Sequence, residues 1–245
     1  MKDLTWLKDE CIAHRGLHTK DQRIPENSLL AFKRALEKGY AIELDVNLTK
    51  DSVVVAFHDY SLKRICGDDR NIDEITYHEL KDLTLFHTKE TVSTLKEVIE
   101  CVHGKVPLLI ELKPHGHVKN LCRETMNILN NYMGRYALFS FNPKVCYTLK
   151  KDYPHVIRGQ ISEYFKDNKQ MNKLSRYLMK SMFFNRFTKP DFISYGINDL
   201  PNKYLDKYKK KGLTIISYAA KNQDEYDRVK SFYDNVVFEY FEPKK

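Results

Sequence analysis

No stretch of the 245 residues approaches the roughly 20 consecutive apolar positions a membrane-spanning helix needs. The opening Met1-Lys2-Asp3-Leu4-Thr5-Trp6 lacks the apolar core of a signal peptide, so a soluble, cytoplasmic protein is the expectation. Cysteine is scarce. Cys11, Cys66, Cys101, Cys122 and Cys146 are odd in number, widely scattered and never spaced C-x-x-C, which excludes a disulfide framework and a cysteine zinc site and reads as reduced, mostly buried thiols. Glycine is sparse too, with nine in the chain. No G-x-G-x-x-G or G-x-x-x-x-G-K turn follows an apolar run, so nucleotide binding has no support. With 42% hydrophobic and 30% charged residues, neither a disordered nor a fibrous chain is indicated. The net charge of +8 favours anionic partners. The basic residues lack the aromatic interleaving of a nucleic-acid module, so a small phosphate-bearing substrate is expected and no nucleic acid.

What is present is a regular alternation of short apolar runs and amphipathic segments. Cys11–His14, Ile42–Val46, Leu108–Lys113, Tyr136–Phe141, Val156–Ile161, Phe192–Tyr195, Leu213–Tyr218 and Val236–Phe238 read as eight strands separated by helical patterns, with Val53–Phe57 as an extra hairpin arm. Asn27 or Ser28 can cap a helix carrying Leu29, Phe32, Ala35 and Leu36, and Thr94 caps one bearing Leu95, Val98, Ile99 and Val102. A polar insertion, about 60–91, follows the extra arm and holds a short helix near Tyr77 to Leu83. Eight β/α units in one domain of residues 1–245 predict a (β/α)8 TIM barrel, with a doubly wound open sheet as the structural competitor.

The strand Ala41-Ile42-Glu43-Leu44-Asp45-Val46 organises the functional reading. Strand side chains alternate between faces, so Glu43 and Asp45 share one face about 7 Å apart, flanked by apolar residues on both sides. Two buried like charges raise each other's pKa unless a cation sits between them. Glu111 and Lys113 repeat the i, i+2 arrangement one strand later. His14 and Arg15 stand at the end of the first strand and His58 at the end of the extra arm, so all seven residues converge on the barrel face where active sites are built. Each has a structural explanation alone, such as a satisfied core histidine or a simple Glu111–Lys113 ion pair. Coincidence at four consecutive strand ends does not.

Three carboxylates with no cysteine suit a hard divalent ion, Mg2+ or Ca2+. Arg15 and Lys113 supply charge suited to phosphate oxygens, and two histidines can act as an acid–base pair near neutral pH. Together these point to metal-assisted cleavage of a phosphate ester.

The ordered motifs His14-Arg15-Gly16, Pro25-Glu26-Asn27-Ser28 with Ala31-Phe32, Glu43-Leu44-Asp45-Val46, His58-Asp59-x-x-Leu62-x-Arg64, Thr94-Leu95-x-Glu97-Val98 and Glu111-Leu112-Lys113 resemble the glycerophosphodiester phosphodiesterase family over residues 10–115. The resemblance implies a TIM barrel with an insertion after the second strand. It also implies hydrolysis of a glycerophosphodiester to sn-glycerol 3-phosphate and an alcohol. By resemblance, Glu43, Asp45 and Glu111 bind the metal, His14 and His58 form the acid–base pair, and Arg15 and Lys113 hold the phosphate. Asp59, next to His58, either orients a histidine or caps its turn, with the structural role slightly favoured. Related readings are cleavage of a lipid phosphodiester, lysophospholipase D-like or phospholipase C-like, and a non-catalytic barrel that binds anionic ligands.

Two stretches depart from the family pattern. Tyr218-Ala219-Ala220-Lys221 stands where Trp-Thr-Val-Asn is usual, and Phe238-Glu239 where Thr-Asp is usual, which bears on the alcohol-side pocket. The segment around Trp6 is expected to cover the part of the barrel that a full eighth helix would occupy. Between Lys166 and Lys189 seven basic residues face one acid, Asp167. Its stripe of Met171, Leu174 and Leu178 reads as the fifth barrel helix packed on the barrel, or as a basic, aromatic lip making weak contact with anionic membrane over 166–189.

Overall fold

A computed structural model describes residues 2–244. The chain begins with α1 (Thr5–Asp9), β1 (Ile12–Ala13), α2 (Leu29–Glu37), β2 (Ala41–Leu48) and β3 (Val54–Ala56). Next come α3 (Lys63–Cys66), α4 (Tyr77–Leu80), α5 (Leu95–Val102), β4 (Leu108–Leu112), α6 (Val118–Leu129) and β5 (Tyr136–Ser140). It continues through α7 (Pro143–Asp152), β6 (Arg158–Ser162), α8 (Lys173–Lys180), α9 (Asn185–Thr188), β7 (Phe192–Gly196), α10 (Lys203–Lys209), β8 (Thr214–Ala220), α11 (Gln223–Lys230) and β9 (Asn235–Phe238). The strand order is β1-β9-β8-β7-β6-β5-β4-β2-β3, with β1 also paired to β2. Leaving out β3, each strand neighbours the next in sequence, which is the order of a (β/α)8 TIM barrel with one strand outside it. No described helix is long and apolar enough to cross a membrane.

Residues 12–137 form one compact unit. All eight residues of β2 are buried, the acidic face included, as expected of a parallel strand covered on both sides. β2 pairs in parallel with β1 and β4 and antiparallel with β3, through Val46↔Ala56 and Leu48↔Val54. Ser28, not Asn27, caps α2: its Oγ accepts from the Ala31 N–H at 3.1 Å. Thr76–Glu79 and Thr94–Glu97 are complete capping boxes that start α4 and α5. The insertion is more than a polar loop. Leu62, Ile65, Ile72, Ile75, Leu80 and Leu85 pack with Val55, Phe57 and Val92 in a core of its own, each such side chain contributing about 1.5–3 kcal/mol by leaving water. Its first turn, α3, was not apparent from the sequence pattern.

The second unit comprises the residues up to Cys11 and those from Leu138 onward. β5 to β9 pair in parallel succession. Asparagine caps four of its helices, with Asn142, Asn172, Asn202 and Asn222 each accepting a backbone N–H of the first turn. The Phe192 ring fills the space above Gly159, where a Cβ would meet it at 2.2 Å. Trp6 is buried, and Asn235 Nδ2 donates to the carbonyls of Leu7 and Glu10 at 2.9 and 2.8 Å. This ties α1 to the first residue of β9. In α8, however, no residue is buried and Leu174 is 68% exposed. Of the stripe of Met171, Leu174 and Leu178, the first and last are half-buried and Leu174 stands out, so the stripe packs only in part.

Candidate active site

The site is built from β1, β2, β3 and β4, all within residues 12–137. Past β1 the chain reverses at once, with Arg15 and Gly16 both left-handed at φ 52° and 76°. A Cβ on Gly16 would lie 2.9 Å from both the Ala31 carbonyl carbon and the Phe32 ring, so the close approach of α2 requires glycine here. The reversal aims the Arg15 N–H at Glu43 Oε2, 2.9 Å away, and the Gly16 N–H at the Glu43 carbonyl, 3.2 Å away. His14 Nε2 stands 3.9 Å from the same Glu43 oxygen.

The β2–β4 register sets Asp45 directly beside Glu111. One ligand atom from each of Glu43, Asp45 and Glu111 lies within 4.8 Å of the other two, and none of the three residues is more than 8% exposed. Lys113 Nζ lies 2.9 Å from Glu111 Oε1 and 3.3 Å from Asp45 Oδ1, and Arg15 Nε lies 3.4 Å from Asp45 Oδ2. Asn27, left-handed at φ 55°, grips Asp45 twice. Its Nδ2 donates to Asp45 Oδ2 at 2.9 Å and its Oδ1 accepts the Asp45 N–H at 3.1 Å.

This packing divides the carboxylates electrostatically. Burial pushes Asp45 up, but Lys113, His58, Arg15 and the Asn27 hydrogen bond outweigh it and hold its carboxyl well below the usual range. Burial raises Glu43 well above its ordinary value, and the neighbouring Asp45 and Glu111 raise it further. Glu111 is raised by burial, with Lys113 opposing. The cluster thus holds more carboxylate than its own cations neutralise. An oxygen-only donor set short of positive charge fits a hard divalent cation.

His58 arrives by hairpin. β3 runs antiparallel to β2, the Phe57 N–H donates to the Asp45 carbonyl at 3.0 Å, and Asn47 Nδ2 donates to the Phe57 carbonyl at 2.8 Å. His58 Nδ1 lies 2.6 Å from Asp59 Oδ1, so Asp59 contacts the histidine rather than serving only its turn. Arg64 then bridges two carboxylates. Its Nε and one terminal nitrogen donate to Asp59 at 2.6 and 2.8 Å, and its two terminal nitrogens donate to Glu26 at 3.1 and 2.7 Å. Glu26 also accepts from Arg15 at 2.6 Å. A continuous chain, His58–Asp59–Arg64–Glu26–Arg15, joins the two motifs. Burial raises Asp59 and Glu26, yet the Arg64 hydrogen bonds, with His58 beside Asp59 and Arg15 beside Glu26, bring both below the ordinary range.

The structure therefore gathers His14, Arg15, Glu43, Asp45, Glu111 and Lys113 in direct contact and links His58 to them through this chain. Sequence reasoning assigned no role in the site to Glu26, Asn27 and Arg64 and left Asp59 between two, of which the structure shows the contact with His58. Their signal was present: Glu26 and Asn27 are polar residues just ahead of a helix cap, and Arg64 follows Asp59 by five residues in the same motif.

A parallel barrel with its charged groups gathered at strand carboxyl ends is an enzyme's arrangement. The model of the Glycerophosphoryl diester phosphodiesterase family matches residues 14–236. The chain belongs to that family, and with it to the phosphoric diester hydrolases. It is 35% identical over 166 residues to a glycerophosphodiester phosphodiesterase of Caldanaerobacter subterraneus subsp. tengcongensis, a match spanning 62% of this chain and 66% of that relative. It is 25% identical to glycerophosphodiester phosphodiesterase 1 of Mus musculus, over 91% of this chain and 74% of the relative. An Oleispira antarctica phosphodiesterase, solved in complex with the product sn-glycerol-3-phosphate, has the same fold, with a TM-score of 0.80, 21% identity and coverage of 96% and 94% of the two chains.

Proposed function

We propose that this chain hydrolyses glycerophosphodiesters to sn-glycerol 3-phosphate and an alcohol, with Glu43, Asp45 and Glu111 holding one divalent cation, Mg2+ or Ca2+. The observation that carries the reading is the buried triad of carboxylates, within 4.8 Å of one another and flanked by Lys113, Arg15 and His14. A cation bound there would supply fixed positive charge beside the phosphoryl oxygens. Arg15 and Lys113 bind the phosphate, Arg15 held in place by Glu26 and Lys113 by Glu111. One histidine takes the proton of the glycerol 2-hydroxyl as that oxygen attacks phosphorus, and the other protonates the departing alkoxide. Water then opens the cyclic phosphate with the two roles exchanged. Asp59 occupies Nδ1 of His58, so Nε2 is the atom through which His58 moves its proton. The product bound by the Oleispira antarctica enzyme supports a small glycerol phosphate in such a site.

The test is hydrolysis of glycerophosphocholine, read as release of sn-glycerol 3-phosphate, before and after exhaustive chelation and again after adding back Mg2+ or Ca2+. Turnover that disappears on chelation and returns with one ion is the expected result. Full activity after chelation would remove the cation from the reading. Inactivity of the cation-loaded protein toward every glycerophosphodiester headgroup would remove the substrate class.

A further inference from the structure

The positive charge of this protein is concentrated rather than spread. Residues 143–211 hold sixteen Lys and Arg against six Asp and Glu, an excess of ten, whereas the whole chain has an excess of eight. Everything outside that span is net acidic.

The span builds one continuous surface on α7, α8, α9 and α10. Lys150 on α7 donates to the Phe187 carbonyl of α9 at 2.6 Å. The Tyr208 hydroxyl of α10 donates to the Met182 carbonyl at 3.1 Å, and Lys180 of α8 lies over the rings of Tyr164 and Tyr204 at 5.6 and 5.9 Å. Large side chains stand out among these cations: Leu174 is 68% exposed, Tyr177 53%, and Phe187 and Tyr147 51% each. Lys169 and Lys173 are exposed and make no ion pair among the described residues. Leu174, Tyr177 and Leu178 share one side of α8, with Lys173 and Lys180 alongside, and no residue of the helix is fully buried.

The chemistry of this surface distinguishes its anionic partners. A single-stranded nucleic acid would stack bases on the aromatic faces, but two of the three exposed rings already carry a cation, Arg186 at 5.8 Å from the Phe187 centroid and Lys150 at 5.9 Å from that of Tyr147, and the half-buried rings beside them do too. Arg186 lies 3.7 Å from the Phe183 centroid, Lys207 4.8 Å from Tyr208, Lys166 5.2 Å from Tyr164 and Lys203 5.8 Å from Tyr204. An exposed leucine gains nothing from a phosphate polymer. Lysines that snorkel around apolar tips match the headgroup zone of a bilayer, where tips enter the acyl boundary and ammonium groups meet lipid phosphate. We propose that the α7–α10 surface docks this protein on an anionic lipid bilayer, independently of which diester it cleaves.

Co-sedimentation with vesicles of phosphatidylcholine, alone or mixed with phosphatidylglycerol, tests this. Binding is expected to the mixed vesicles only, and to vanish between 0.1 and 1 M salt as the screening length falls from about 10 to about 3 Å. Lys173→Glu with Lys180→Glu is expected to weaken binding by about tenfold or more, and Leu174→Ser with Tyr177→Ser to weaken it at unchanged charge. Lys96→Glu with Lys119→Glu, exposed on α5 and α6, makes the same change in net charge and is expected to leave binding close to that of the parent. Turnover of glycerophosphocholine checks the folding of every variant. Absence of binding at low salt, equal binding to neutral vesicles, or an equal loss in the α5/α6 pair overturns the proposal. So does a double-stranded oligonucleotide that displaces the protein as well as excess anionic vesicles do.

Discussion

Residues 12–137 and residues 138–239 both bury polar side chains on their strands, but they satisfy them in opposite ways. In the first region the buried groups are ionic and bond mainly to one another, as Glu43, Asp45 and Glu111 do with Arg15, Lys113 and Asn27. In the second they are mostly neutral and bond to backbone. Gln160 Nε2 reaches the carbonyls of Ser140, Phe141 and Ile161 at 3.0 Å each, Ser162 Oγ that of Met179 at 2.8 Å, and Ser217 Oγ that of Tyr195 at 2.7 Å. A buried hydroxyl or amide bonded to a carbonyl is at rest, because its desolvation is already compensated. A buried carboxylate triad whose members carry raised and lowered pKa values is not, because burial and mutual repulsion still favour anything that brings positive charge. The comparison separates polar groups that hold the barrel from those to which the proposed function assigns the chemistry.

The sharpest way to break this contrast is to remove one group from the charged region. On the proposed function, Glu43→Gln removes a cation ligand and His58→Ala a proton carrier. Each is expected to lower turnover of a glycerophosphodiester by about 10²-fold or more. They differ in a second readout, since Glu43→Gln also weakens the cation-induced rise in melting temperature whereas His58→Ala leaves it nearly intact. A His58 variant with normal turnover would dissociate the β3 hairpin from the site.

Cation removal is the next largest effect. A ligand at a hundredfold its dissociation constant stabilises by about 3 kcal/mol, which is about 5–10 °C in a domain of this size. Melting curves with chelator and with added Mg2+ or Ca2+ measure it. An unchanged melting temperature would mean that Lys113 and Arg15 already suffice to neutralise the triad.

How much of this contrast was legible in the sequence follows from the range of each signal. The eight strands and the two i, i+2 pairs are local patterns of period two, and they survive in the structure with ends moved by one or two residues. Ser28 and Thr94 as caps are equally local. The bonds that escaped prediction are long-range ones: Asn27 to Asp45 spans 18 residues and Arg64 to Glu26 spans 38, and no periodicity encodes such contacts. The α8 stripe kept two readings for a related reason. Period 3.6 shows that a helix has an apolar side but not what meets that side.

Arg64 offers an intermediate test, because it couples the two motifs from outside the triad. Arg64→Met is expected to lower turnover by about tenfold, the scale of losing an outer-shell partner. Its pH signature has a definite sign. Asp59 and Glu26 are held below the ordinary carboxylate range in the folded protein. The stability they contribute is therefore present above the unfolded values near pH 4 and is lost as pH falls through the lowered folded values. The melting-temperature gap between parent and Arg64→Met should be widest at pH 7 and narrow as the pH drops to about 3. A gap that stays constant would show that Arg64 acts by packing alone.

The smallest effect belongs to the neutral region and completes the contrast. Ser217 is wholly buried on β8, and its Oγ donates to the Tyr195 carbonyl. Ser217→Ala removes one neutral hydrogen bond and leaves no charge behind, a loss of about 1 kcal/mol. In a protein of this length that lowers the melting temperature by about 2–4 °C. Turnover should stay within about twofold of the parent, because nothing in this hydroxyl's environment is left uncompensated for a substrate to use. His58→Ala predicts the reverse, a large loss of turnover with little change in melting temperature, since the side chain is partly exposed and its backbone is pinned by Asn47 through Phe57. Measuring both quantities on both variants forms a two-by-two test. If Ser217→Ala cost as much turnover as His58→Ala, the neutral groups of β5 to β9 would have to be counted with the chemistry, and the division between the two regions would fail.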